Sequence, residues 1–124
     1  MKEVINPGTP VVGPYSPGIK IGNAIYISGQ GYPKESSDIS EQTYQALNNI
    51  KKIIISAEGK VSDIVATTVY LKDMTDFGKM NSSYKKFFED SGVTEGFPSR
   101  TTVEVSNLPV PAMKVEINAT ALIE

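Results

Sequence analysis

The sequence predicts an α+β fold in which two helices cover one face of a sheet. Two segments carry apolar residues at intervals of three and four, the helical period. Six others are short and either alternating or rich in β-branched residues, as strands are. Their order along the chain is β-β-β-α-β-α-β-β, and two amphipathic helices most simply pack on the same side of one sheet. At 124 residues the expectation is a single domain, residues 1–124, with one hydrophobic core.

Lys2 to Asn6 reads as a short strand stopped by Pro7-Gly8-Thr9-Pro10. Residues 7–18 hold four prolines and three glycines, a stiff, turn-rich loop with Tyr15 as its lone aromatic. Ile19–Ile21 and Ala24–Ser28 form a hairpin pair around the turn dipeptide Gly22-Asn23. Ile25 and Ile27 then face the core, leaving Tyr26 and Ser28 on the other side. Asp38 and Glu41 have capping-box-like spacing. They start a helix whose stripe is Ile39, Thr43, Ala46, Leu47, Ile50, Ile53, Ile54 and Ala57, with Gly59 as its stop. Ile64 to Leu71 is a strand by composition. A second helix, about Asp76 to Asp90, has the stripe Phe77, Met80, Tyr84, Phe87 and Phe88. Asn81 lies inside that stripe, and a buried amide there needs partners.

Two C-terminal strands complete the order. In Arg100 to Ser106, Thr101, Val103 and Val105 share one face, expected to lie under the helices. Arg100, Thr102 and Glu104 share the other. In Met113 to Ile123, Val115, Ile117, Ala119, Ala121 and Ile123 alternate with Glu116, Asn118 and Thr120. The polar faces are expected to coincide, and to be open to water or to line a cavity or subunit interface.

Composition excludes whole classes of chemistry. There is no cysteine and no histidine, which removes thiol nucleophiles, disulfides, a histidine base, and zinc sites built from sulfur or imidazole. No spaced acidic cluster suggests an oxygen-ligated metal, so no metal is expected. The net charge is −2 and the lysines form no cluster beyond two adjacent pairs, which argues against nucleic acid as a partner. No apolar run approaches a membrane span, and Met1 to Pro7 lacks a signal-like apolar stretch. The expected location is the cytoplasm.

Arg100 is the only arginine among twelve basic residues. A planar bidentate donor suits a carboxylate or phosphate, whereas a surface ion pair is its ordinary structural use. On an interfacial face, Arg100 could hold a substrate carboxylate while Glu116, if desolvated, moves a proton. Tyr15, Ser28 and Asn81 could add contacts. Each also has a plain structural reading: an aromatic under its own loop, a strand-end hydroxyl, and a locally bonded amide.

Gly13-Pro14-Tyr15-Ser16-Pro17, Ile27-Ser28-Gly29-Gln30, Val69-Tyr70-Leu71-Lys72-Asp73, Met80-Asn81-Ser82-Ser83-Tyr84, Phe97-Pro98-Ser99-Arg100 and Val115-Glu116-Ile117 occur in this order. Together they resemble the reactive intermediate deaminase (RidA, or YjgF) family, also called endoribonuclease L-PSP, over essentially the whole chain. The resemblance implies a chorismate-mutase-like α+β fold with a mixed sheet, assembled as a homotrimer around a central barrel with ligand clefts between subunits. It implies hydrolysis of 2-imino acids and enamines to 2-keto acids and ammonia, without metal or cofactor. By the same resemblance Arg100 holds the substrate carboxylate and Glu116 lies near the hydrolytic water, while Tyr15, Ser28, Asn81 and Thr102 line the site. Thr102 stands where many members have cysteine, and Asn118 where glutamate is frequent. The alternatives are a regulatory module that binds small carboxylates without turnover, and an endoribonuclease or translation inhibitor.

Overall fold

The computed structural model describes residues 1–124. Its strands are β1 (Glu3–Ile5), β2 (Gly18–Ile21), β3 (Ala24–Gln30), β4 (Ile64–Leu71), β5 (Ser99–Glu104) and β6 (Val115–Leu122). The helices are α1 (Ile39–Ser56) and α2 (Phe77–Asp90), so the expected order of elements holds. One mixed sheet runs β1-β2-β3-β6-β4-β5. Only β4 and β5 are parallel neighbours, as a connection through a helix allows.

Both helices pack on the same face. Ile25, Ile27, Val69, Leu71, Val115, Ile117, Ala119 and Ala121 point toward them and are buried. From α1 come Leu47, Ile50, Ile53 and Ile54, and from α2 Met80, Tyr84, Phe87 and Phe88. Tyr84, Phe87 and Phe88 pack edge-on or tilted, at centroid separations of 4.9 and 5.5 Å, within the favourable range for such pairs.

Asp38 caps α1 by accepting from the Glu41 N–H at 2.9 Å. At the other end the expected role of Gly59 is corrected. Glu58 takes the left-handed conformation (φ 69°), while its N–H bonds Ile55 O and that of Gly59 bonds Ile54 O, a Schellman end. Gly59 is small for another reason: a Cβ there would lie 2.9 Å from Ile54 Cγ2 and 3.1 Å from Ile25 Cδ1. Helix and sheet are that close.

The β3–β6 register shifts between Ile27 and Gln30. Ala119 and Ile117, two residues apart, face residues three apart, so β3 carries one extra residue. Bulges of this kind bend a strand and re-aim its side chains. This one lies beside Glu116.

Candidate active site

Arg100 follows the first residue of β5 and pairs with Thr67 of β4; Thr102 pairs with Val69. Thr67 and Val69 are buried under the helices, and in-register partners share a face. Arg100 and Thr102 therefore lie on the helix side, and Thr101 and Val103 on the open side. This inverts the expected parity. An apolar stripe in a lone chain is naturally assigned to the helices, but β5 is an edge strand beside α2. There Arg100 fills the space, and Val103 is left exposed.

The arginine is held by α2. Its Nη2 donates to Asn81 Oδ1 at 2.7 Å, and Nη1 lies 3.9 Å from Met80 Sδ. The guanidinium carbon sits 4.9 Å from the Tyr84 ring centre and 5.7 Å from that of Phe77, inside cation–π range. Tyr84 is fixed in turn by a 2.8 Å hydrogen bond to Thr67 Oγ1, and burial raises its phenol pKa. The helical spacing of Phe77, Met80, Asn81 and Tyr84 puts all four on one side of α2. That spacing was visible in the sequence; only the packing of β5 against α2 gives it an occupant. Arg100 has no carboxylate partner, since the single ion pair in the chain is Lys86–Asp90.

Glu116 lies elsewhere. It pairs with Tyr70 across β6 and β4 and points to the open face, opposite to Arg100. Two strand spacings and a three-residue offset along the strands separate the two Cα atoms by about 14 Å. The Glu116 side chain lies across the backbone of Gly29, where a Cβ would come within 2.6 Å of Oε2; a side chain at residue 29 would displace the carboxylate. Glu116 has no ion-pair partner. Partial burial raises its pKa above the ordinary carboxyl value.

Around Glu116 lies a cavity of about 440 Å³ that also includes Tyr15, Gly29 and Gly31. Tyr15 Oη accepts from the Val12 N–H at 3.4 Å. Ser28 Oγ donates to Ser16 O at 2.6 Å and its N–H to Pro17 O, so this serine fastens the Tyr15 loop to β3. Thr102 is half-buried beside Arg100. Asn118 Oδ1 accepts from Thr68 N–H, and Glu104 accepts from Met74 N–H; both tie strands and turns together. The candidate residues thus fall into two groups, candidate half-sites. Arg100, Asn81 and Thr102 form one on the helix side, and Glu116 and Tyr15 the other on the open side, with Ser28 behind the Tyr15 loop.

Sequence reading missed Gln42. It is fully buried in α1, donates to Ala112 O at 3.0 Å and accepts from Lys114 N–H at 2.7 Å. Thr43, its apolar-looking neighbour in the stripe, leaves Oγ1 without a partner.

Known proteins carry the same organisation. A family model described as Endoribonuclease L-PSP matches residues 8–123. A RutC family protein of Pyrococcus horikoshii is 45% identical, with 98% of each chain covered. The 2-iminobutanoate/2-iminopropanoate deaminase of Escherichia coli is 43% identical over 90% of this chain and 88% of its own. Among solved structures, Escherichia coli TdcF with bound serine superposes with a TM-score of 0.90 at 32% identity, covering 98% of this chain and 99% of the other. The YjgF gene product of Escherichia coli gives 0.88 at 38% identity, with 98% of each chain covered. Matches of that extent, on an α+β sheet with both helices on one side, leave one assignment: the chain belongs to the Endoribonuclease L-PSP family, known also as YjgF or RidA.

Proposed function

We propose that the protein is a hydrolytic deaminase that converts 2-imino acids and their enamine tautomers to 2-keto acids and ammonia, in the cytoplasm and without a cofactor. The observation that carries this reading is the uncommitted guanidinium. Arg100 is flanked by two aromatic rings and oriented by Asn81, yet no carboxylate of this chain neutralises it. Its free N–H groups are arranged to receive a carboxylate in a fork. Bonds of this charged kind contribute about 1.5–3 kcal/mol each. The names of the curated relatives from Escherichia coli and Salmonella typhimurium, 2-iminobutanoate/2-iminopropanoate deaminases at 43% and 42% identity, support the same reaction.

The proposal includes a homotrimer. Arg100 and Glu116 of one chain face opposite ways, so a substrate held by one cannot be served by the other. A cleft between subunits, with Arg100, Asn81 and Thr102 from one and Glu116 and Tyr15 from the next, joins the half-sites. In that cleft water adds to the imine carbon as Glu116 takes its proton. Glu116 passes that proton to the nitrogen, which gives a neutral tetrahedral carbinolamine and restores the carboxylate. Collapse moves the hydroxyl proton through Glu116 to the nitrogen, the C–N bond breaks, and ammonia leaves as C=O forms. One imine and one water give one keto acid and one ammonia. The raised pKa of Glu116 brings it nearer to the value suited to such proton exchange.

The test is keto-acid release from an imine generated in situ by a dehydratase or an amino-acid oxidase. The wild type is expected to accelerate it and Arg100→Ala to lose at least about 10- to 100-fold, the worth of one charged hydrogen bond. Arg100→Lys is expected to lose most of the activity, because an ammonium cannot form the fork. Full activity in Arg100→Ala would overturn the reading. A second reading, carboxylate binding without turnover, is favoured by the serine held in Escherichia coli TdcF; thermal stabilisation by serine with no imine hydrolysis would establish it.

A further inference from the structure

We infer that the cavity beside Glu116 is a side-chain pocket, and that it selects 2-imino acids with long apolar side chains over the smallest ones. This rests on the deaminase reading above and names the substrate class for that same site. The cavity measures about 440 Å³, within the size range of pockets that enclose drug-sized ligands. An imine with a one- or two-carbon side chain leaves most of it to water.

Its lining combines hydrocarbon with a few polar side chains, Thr9, Gln30 and Asn49. Val11 and Val12 come from the Tyr15 loop, and Pro109, Val110 and Met113 from the β5–β6 connection. Prolines in the same loop add rigid hydrocarbon and no N–H groups. Lys52 stands at the rim and is exposed.

The walls are fastened from three sides. Gln42 of α1 holds the backbone on both sides of Met113, and Asn49 donates to Gly31 O at 3.0 Å. Gly31 must be glycine for Met113 to lie where it does, because a Cβ there would collide with Met113 Cε. The Val12 N–H is tied to the Tyr15 hydroxyl. A pocket whose walls are set before ligand arrives spends little binding energy on ordering them. With the carboxylate on Arg100 and the imine carbon near Glu116, the side chain is the part of the substrate left to enter it.

Each methylene removed from water there favours binding about fourfold. Leucine- or methionine-derived imine is therefore expected to give kcat/KM about tenfold or more above alanine-derived imine, allowing for partial exposure. The experiment generates imines from alanine, leucine, methionine, phenylalanine and glutamate with amino-acid oxidases and compares acceleration at matched imine levels. Val110→Trp is expected to lower the leucine-to-alanine ratio about tenfold. Val12→Trp, at a position 72% exposed that has room for a larger side chain, is expected to lower it in the same direction. Thermal melts confirm that both variants fold.

Equal or lower rates on the long apolar imines, a ratio unmoved in both tryptophan variants, or a preference for the glutamate-derived imine drawn by Lys52 would overturn the pocket assignment. In each of those cases the deaminase reading survives. Failure of the wild type on every imine would remove both.

Discussion

Glu116 is placed where function and stability oppose each other. Burial raises its pKa above 4.5, so the folded state holds that proton more tightly than the unfolded chain does. The stability linked to the protonated form is fully present below the unfolded pKa and is lost as pH rises through the higher folded value. Glu116→Gln is therefore expected to raise Tm at pH 7, an advantage that shrinks toward pH 4.5 and below; melts across that range check it. The same variant is expected to lose about 10²- to 10⁴-fold in turnover, the usual worth of an acid–base group. In the wild type, the acidic limb of the pH–rate profile is expected above the ordinary carboxyl range. Asn81 acts differently, because it touches the guanidinium and orients it. Asn81→Ala is expected to weaken substrate binding about tenfold while leaving the acidic limb in place.

Each helix carries a core face and a polar task on one sequence. In α2 the stripe that buries Met80, Tyr84, Phe87 and Phe88 continues into Asn81 and the half-exposed Phe77, and these receive Arg100. In α1 the stripe includes Gln42, whose amide replaces two missing backbone partners near Met113. Gln42→Leu keeps the volume and leaves Ala112 C=O and Lys114 N–H unpaired. Each lost partner costs about 1–3 kcal/mol when buried, so a clearly lowered Tm in a thermal melt is expected. The elements themselves were legible because their periods are clean. The partner of Asn81 was not, since pattern gives the face of a helix and not what packs there.

Taken as one chain, the molecule leaves a sheet face uncovered. Val4, Ile21, Tyr26 and Leu122 stand on it at 48–58% exposure, opposite the helices, and such a contiguous apolar face marks an interaction surface. In the proposed trimer it is covered by second and third copies. Sedimentation is expected to give a trimer, and Tyr26→Glu to shift it toward monomer and abolish activity, although Tyr26 belongs to neither half-site. Complementation is a sharper check. Mixing Arg100→Ala with Glu116→Gln subunits by refolding is expected to restore about a quarter of wild-type activity, because random assembly of a cyclic trimer pairs one intact Arg100 with one intact Glu116 at that frequency. No recovery would place both residues of each site in the same chain.

The sequence by itself determined the order of the elements and the α+β class, and it singled out Arg100 and Glu116 as candidates. Hydrophobic period is a local property, and the lone arginine and the carboxylate at the middle of an alternating strand need no partner to be noticed. Tertiary structure decided which way they face. Parity fixes only that Arg100 opposes Val103 and that Glu116 opposes Ile117. Which side of β5 meets the helices depends on its parallel pairing at the sheet edge, and that long-range choice turned Arg100 toward α2, while the antiparallel pairing of β6 left Glu116 on the open face, as its alternation implied.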